Sequence, residues 1–498
     1  MLLLATHAQG APMTATAAAP STAPPAGRHP VDEVPPLRRL APLGLQHVLA
    51  MYAGAVAVPL IVGGALVQAG RLDASDIPYL ISADLLVAGI ATLIQSLGFW
   101  RFGVRLPLMQ GCTFAAVSPM IAIGSEYGVT AIYGSVIASG VFMMALAPVF
   151  AKLLRFFPPL VTGTVILVIG LSLMPVAAGW AGGGTGSDDF GAPANLGFAA
   201  FTLAVIILIE RFGPPAVKRL SILAGLLVGT LVAVPFGLAD FSAVGEEAWF
   251  GVSTPFHFGL PTFQISAIIA MCVVALVIMT ETTGDMLAIG EIVDKPVAPR
   301  QLADGLRADG LSTVLGGVFN TFPYTAFAQN VGLVSMTRVR SRYVATFAGG
   351  VLVVLGLVPK LGGAVEGIPL PVLGGAGVAL FGMVAASGVR TLTKVRFNNT
   401  NILVVAVAVG VGLLPTVASS IFDQFPTWFQ IIFHSGISAG AITAILLNLL
   451  LNSDRLQAEL ADDPELAPHD AVRGPAADPS RHGADATPTT AALPPERS

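Results

Sequence analysis

From about Pro42 to Asn452 the chain is a near-continuous succession of apolar runs, separated by charged residues and by Gly/Pro clusters. A bilayer core demands about 20 apolar residues per helical crossing, because a backbone in hydrocarbon must satisfy its own N–H and C=O groups. Fourteen candidate segments centre near residues 55, 88, 116, 140, 167, 203, 228, 274, 312, 330, 349, 378, 409 and 440. Only 11% of the residues are charged, against roughly 25% in an average soluble protein. The expected fold class is therefore an all-α polytopic membrane protein. Cys112 and Cys272 both sit in apolar runs, which suits neither a disulfide framework nor a metal site.

The third, ninth and tenth segments are short, polar and interrupted by Gly or Pro, as expected of broken helices lining a site. Flanking charge sets the orientation. Basic residues from Arg38 and Arg39 through Arg101, Lys152, Arg211, Lys295, Arg338, Arg390 and Arg455 fall on one side of this scheme, and only Arg71 and Lys360 on the other. Both termini are thereby expected in the cytoplasm, with loops 181–194 and 240–262 outside. Residues 1–38 and 454–498 are rich in Ala, Pro and small or acidic residues and read as disordered tails flanking the 39–453 membrane domain.

An internal repeat is legible. Residues 157–174 match 368–385 at an offset of 211, and the stretch from Leu106 matches that from Phe322 at an offset of 216. Seven spans separate the equivalents. Seven is odd, so the two halves are expected to be inverted in the membrane, an arrangement that points to alternating access.

The polar residues inside the apolar frame carry the chemistry. Residues 319–338 read FNTFPYTAFAQNVGLVSMTR, with Pro323 before Gln329-Asn330 and Gly332 after. Amides are costly in hydrocarbon unless partnered, so this is expected to be a broken span facing a cavity. Each amide offers donors and an acceptor together, which suits a nucleobase edge. Backbone N–H groups at Ala328 and Gln329 would open a half-helix whose positive end favours a carbonyl or anionic group. Glu281 lies deep in the eighth span, where a carboxylate is either functional or a structural acid bonded to a neighbouring helix. Asp285 follows one turn later on the same face. Asp304 lies nearer the basic loop and reads as a solvated terminus residue. Asp84 in the second span receives no assignment.

Gln329, Asn330, Val331, Gly332, then Thr337 and Arg338 resemble the signature of the nucleobase–ascorbate transporter family, the second nucleobase–cation symporter family. The resemblance covers nearly the whole hydrophobic region and is nearest the bacterial xanthine and uric acid permeases. It implies fourteen spans in two inverted groups of seven, with short strands in spans 3 and 10. It also implies a substrate-holding core (about 40–152 and 263–360) and a gate that forms a homodimer (about 153–262 and 361–453). It implies that Glu281 binds substrate and that Phe114, beside Thr113, stacks on the ring. Asp309 would hold the broken tenth span and share a proton network with Glu281, and Asp285 would support the site. His47, after Gln46, would organise the core. Ala53 and Gly54 would let a flat ring approach the backbone, and Asn330 would brace a neighbouring span. Where uracil carriers have Glu, this chain has Gln329, which favours an oxidised purine.

The expected function is proton-coupled symport of xanthine or uric acid across the plasma membrane. The rivals are a uracil or other nucleobase symporter and an anion carrier or channel on the same architecture. An anion carrier needs a basic or dipole-only centre, whereas this centre carries Glu281 and Asp309. No nucleotide, dinucleotide, metalloprotease or triad motif appears, so neither an enzyme nor a cofactor or metal is expected.

Overall fold

The computed structural model describes residues 29–418 and 420–452. The expected tails therefore lie largely outside the described residues. Residues 29–38, expected within the first tail, are placed. Pro30–Asp32 form one 3-10 turn, and Val31 is fully buried.

Among the described residues, nineteen α-helices and two short strands follow in order. The first group is α1 (Leu37–Gln68), α2 (Ile77–Leu97), β1 (Gln110–Cys112), α3 (Val117–Tyr127) and α4 (Val129–Leu153). Then come α5 (Pro159–Ser172), α6 (Met174–Ala181), α7 (Pro193–Phe212), α8 (Pro215–Lys218), α9 (Ser221–Ala233) and α10 (Ser242–Glu246). The second group is α11 (Ile265–Ile292), α12 (Pro299–Val318), β2 (Tyr324–Ala326), α13 (Ala328–Thr337) and α14 (Arg342–Gly356). It is followed by α15 (Pro359–Glu366), α16 (Leu370–Leu392), α17 (Asn399–Val417), α18 (Thr427–Phe433) and α19 (Gly436–Leu451).

Among the described residues, eight helices are long and apolar enough to cross a membrane. The number is ten if α14 with α15 (bent by 80°) and α18 with α19 (83°) each count as one span. The expected count of fourteen is reached only by adding four units that fail on length or polarity. These are the strand-plus-half-helix units β1–α3 and β2–α13, the short apolar helix at Ser221–Phe236, and α12. Helix α12 has the length, but its twenty residues include Arg300, Asp304, Arg307 and Asp309.

The packing shows the repeat directly. Helix α2 packs on α14 as α12 packs on α4, and α1 meets α14 as α11 meets α4. Helices α5 and α16 pack on each other, α16 on α7 as α5 on α17, and α7 on α9 as α17 on α19. The closest approaches repeat too. A Cβ on Gly89 would lie 2.6 Å from the Gly349 carbonyl oxygen, and one on Gly310 would lie 2.7 Å from that of Gly140. Only glycine lets these helix pairs come so near. The 211-residue offset holds, since α5 begins at Pro159 and α16 at Leu370. The strands are offset by 214, from Gln110 to Tyr324, two residues from the sequence expectation of 216. Their antiparallel pairing is what two inverted halves produce when their broken spans meet.

Candidate functional site

The two broken spans meet as a three-pair antiparallel ladder, Gln110 with Ala326, Gly111 with Thr325 and Cys112 with Tyr324. The Thr113 N–H donates to the Pro323 carbonyl at 3.0 Å, and the Phe327 N–H donates to that of Met109 at 3.0 Å. All six strand residues are buried. Strands at this depth are tolerated because neighbouring protein satisfies the backbone. Helix α11 supplies part of that: the Thr282 hydroxyl accepts from the Ala326 N–H at 3.2 Å and lies 3.1 Å from the Thr325 hydroxyl.

Beyond the ladder the chains diverge. Thr113 Oγ1 accepts from the Ala115 N–H at 3.1 Å and caps a 3-10 turn at Phe114–Ala116, so Thr113 and Phe114 are both buried. Phe114 meets Phe381 of α16 edge-on, with ring centroids 5.9 Å apart. On the other chain segment, the half-helix α13 opens at Ala328, and Ala328 and Gln329 are exposed.

Glu281 and Asp285 sit one turn apart on α11, both half-buried, and Asp309 is fully buried on α12. The three carboxylates are near enough to repel one another. Asp309 Oδ1 accepts from Gln95 Nε2 at 2.8 Å, and Gln110 and Thr282 also face that carboxylate. Gln95 is fixed in turn, because its Oε1 accepts from the Val104 N–H at 2.9 Å. No lysine or arginine pairs with these acids among the described residues. The nearby Arg307 is engaged by Asp304. Asp304 is thus held within α12 by its neighbour, rather than being the solvated terminus residue expected.

His47 is buried on α1 and is joined to Asn330, not to the acids. Asn330 Nδ2 lies 3.0 Å from both His47 Nδ1 and the His47 carbonyl. An amide nitrogen only donates, so Nδ1 accepts and the ring proton sits on Nε2. Asn330 in this way ties α13 to α1. Gly54 is filled from within: a Cβ there would lie 2.9 Å from the ring of Phe327. The flat ring that approaches Gly54 in this structure is the protein's own.

Sequence reading misses Gln95, which orients Asp309, Gln110 and Thr282, which face it, and Phe327, which packs on α1. The two glutamines carry the same signal as Gln329, an amide inside an apolar run. A cavity of about 280 Å³ lies between α1, α9, α15 and α16. Its walls are nearly all apolar, and it does not include the acids.

Comparison with known proteins agrees with this architecture. The sequence model described as the Permease family matches residues 38–421. The nucleobase transporter PlUacP of Paenibacillus larvae is 49% identical over 417 residues, covering 83% of this chain and 94% of that protein. A xanthine permease of Bacillus subtilis is 46% identical, covering 85% and 96%. The uric acid transporter UacT of Escherichia coli is 43% identical, covering 87% and 91%. Among solved structures, the transmembrane domain of a cyanobacterial bicarbonate transporter, BicA, superposes with a TM-score of 0.55 at 16% identity, over 83% of this chain and all of that one. That likeness shows the shared fold alone. The chain belongs to the nucleobase–ascorbate transporter family of permeases. It is a membrane transporter and not an enzyme.

Proposed function

We propose that this transporter is a proton-coupled symporter importing an oxidised purine, xanthine or uric acid, by alternating access across the plasma membrane. The observation that carries the reading is the convergence on one strand crossing of three carboxylates and an exposed amide, with no basic partner among the described residues. The names of relatives 43–49% identical support a purine as cargo. The Glu281 carboxylate would accept two ring N–H groups. The Gln329 amide would read a mixed edge, and the Ala328 and Gln329 N–H groups would meet a ring carbonyl. Thr113 and Phe114 would form the apolar wall. An anion carrier would have to bring negative charge against three acids, which disfavours it.

Helices α1–α4 and α11–α14 would move as the core, and α5–α9 with α16–α19 would form the gate and the homodimer contact. Three charged acids are costly to carry through a dry barrier. One proton taken up with the purine and shared among Glu281, Asp285 and Asp309 would lessen that charge, so the core would pass the gate loaded with both, and net symport requires the empty core to return without that proton. His47 and Asn330 would keep α13 seated during the movement. Both termini would lie in the cytoplasm.

The test is uptake of labelled xanthine and urate into proteoliposomes under an imposed proton gradient or an imposed sodium gradient. Accumulation with the proton gradient alone, accompanied by proton entry, is the expected result. Asp309→Asn should abolish accumulation while leaving purine binding measurable. Accumulation driven by sodium with no proton movement would overturn the coupling, and transport of uracil without either purine would overturn the cargo.

A further inference from the structure

Of the acids described above, Asp309 lies beside one end of the strand ladder, facing Gln110. The other end is held by an acid outside that set. Asp84 lies on α2 and is fully buried, with no cation beside it among the described residues. Its Oδ1 accepts from the Cys112 thiol, from the Tyr324 hydroxyl at 2.8 Å and from the Thr321 hydroxyl at 3.3 Å. Its backbone carbonyl also accepts from Tyr324 Oη at 3.1 Å. Cys112 and Tyr324 are the terminal pair of the ladder, and the next bond beyond them is Thr113 to Pro323. Asp84 therefore touches both strands at the end where the Thr113–Phe114 turn begins.

The same helix also reaches the rest of β1. Thr92 Oγ1 accepts from the Gln110 N–H at 3.0 Å, and Gln95 holds Asp309 beside the Gln110–Ala326 pair. Asp84 and Gln95 are eleven residues apart, about three helical turns, and so lie on one face of α2. Helix α2 is itself seated against α14 through Gly89. A ladder of only three pairs is marginal alone. Its position depends on this bracket, and the bracket has an acidic anchor at one end.

We propose that Asp84 is a positioning residue for the substrate site. From α2 it pins the Cys112–Tyr324 pair and so sets where the Thr113–Phe114 wall and the Ala328–Gln329 helix start stand relative to Glu281. This rests on the strand crossing being the substrate site. It adds that purine affinity depends on a carboxylate that never meets the purine.

Two readouts on purified full-length protein in a Cys272→Ala background separate the possibilities. One is the rate at which a maleimide labels Cys112, which needs no substrate. The other is equilibrium binding of xanthine and urate. Asp84→Leu removes the acceptor of three donors, and stranding buried donors in this way carries about tenfold effects or more. Cys112 labelling is expected to speed up about tenfold and purine affinity to fall about tenfold or more, with the protein still monodisperse. Asp84→Asn, which keeps one acceptor oxygen, should lie between this variant and the parent. Faster labelling with unchanged affinity would make Asp84 a packing residue and overturn the proposal, and so would no change in either readout. If Asp84→Leu aggregates, Tyr324→Phe and Cys112→Ser each alter one donor and leave the carboxylate. Unchanged affinity in both would overturn the proposal. If the parent protein binds neither purine, the functional reading fails. Labelling of Cys112 then still decides whether Asp84 holds the ladder.

Discussion

The two broken spans share a backbone plan and differ in almost every side chain that matters. In the first half, β1 leads into Thr113 and Phe114, both buried, and α1 alongside carries Ala53, Gly54 and Ala55. In the second half, β2 leads through buried Phe327 into exposed Ala328 and Gln329, and α11 alongside carries Glu281 and Asp285. An inverted repeat fixes positions in pairs but leaves each member free to change its chemistry. Here one half supplies small residues and ring walls, and the other supplies the hydrogen-bonding groups. A flat, polar-edged ligand needs both, a wall for its face and donors and acceptors for its rim.

If that division is right, the costliest conservative change lies in the second half. Glu281→Gln keeps the shape and replaces an acceptor-only group with one that is half donor. Affinity for xanthine or urate should fall by about 1–3 kcal/mol, the range for leaving a buried polar group unpaired, or about 5- to 150-fold in Kd. Binding isotherms on purified protein measure it. Parent-like affinity would remove Glu281 from the site and leave the two halves without a polar and an apolar member.

A smaller effect is expected at Gln329, and it should alter choice more than strength. Gln329→Glu removes the amide donors from the exposed start of α13. Uptake of xanthine and urate should fall about tenfold relative to that of uracil, a difference of about 1.4 kcal/mol in discrimination. Competition of each base against labelled xanthine reads it. In the first half, Phe114→Ala should weaken all three bases alike, because stacking tolerates any ring. A variant of Phe114 that changed selectivity, with Gln329→Glu leaving it intact, would reverse the roles assigned to the two halves.

Much of this arrangement is legible in the sequence, for particular physical reasons. Apolar length finds the long helices, and the repeat at offset 211 finds α5 and α16, because membrane helices must show themselves in composition. Units that rely on other protein groups, rather than on their own apolarity, are harder to place. The strands lie two residues from the expected register, since three buried residues each carry little periodic signal. Helix α12 reads as weak because Arg307 and Asp304 satisfy each other inside it. Glu281, Gln329 and Asp309 stand out as polar groups in hydrocarbon. Gln95, which orients Asp309, stands out no less, but nothing in a linear chain joins it to a residue 214 positions away. His47 and Gly54 show a different limit. The sequence marks both, but not that Asn330 and Phe327 are what occupy them.

The tie at the end of each half differs in kind as well, and gives the smallest expected effect. In the first half, Arg71, just past α1, donates directly to the Ser125 carbonyl at the end of α3, at 2.6 and 3.1 Å. In the second half, Lys295, just past α11, and Arg342, the first residue of α14, do not meet. Asp32 of the N-terminal turn lies between them, 3.2 Å from Lys295 and 2.8 Å from Arg342, while Ser341 donates to the Glu33 carbonyl at 2.6 Å. Burial works to raise the Asp32 pKa, but the hydrogen bonds and charges of Lys295 and Arg342 outweigh it, and the carboxyl lies below its ordinary value. An acid of this sort contributes stability above the unfolded carboxylate value of about 4. It loses that contribution as the pH falls through the still lower folded value. The side chains are partly exposed, so the pairs are worth no more than about 1 kcal/mol. Asp32→Asn should therefore lower Tm only slightly at about pH 7. The gap between variant and parent should close near about pH 3, and also in about 1 M salt, where the screening length is about 3 Å. Arg71→Gln should show no such acid closure, because its partners are carbonyls that do not titrate. If the Asp32→Asn gap persists in acid and in salt, the ion pairs are not what holds the N-terminal turn, and the buried side chain of Val31 must hold it instead.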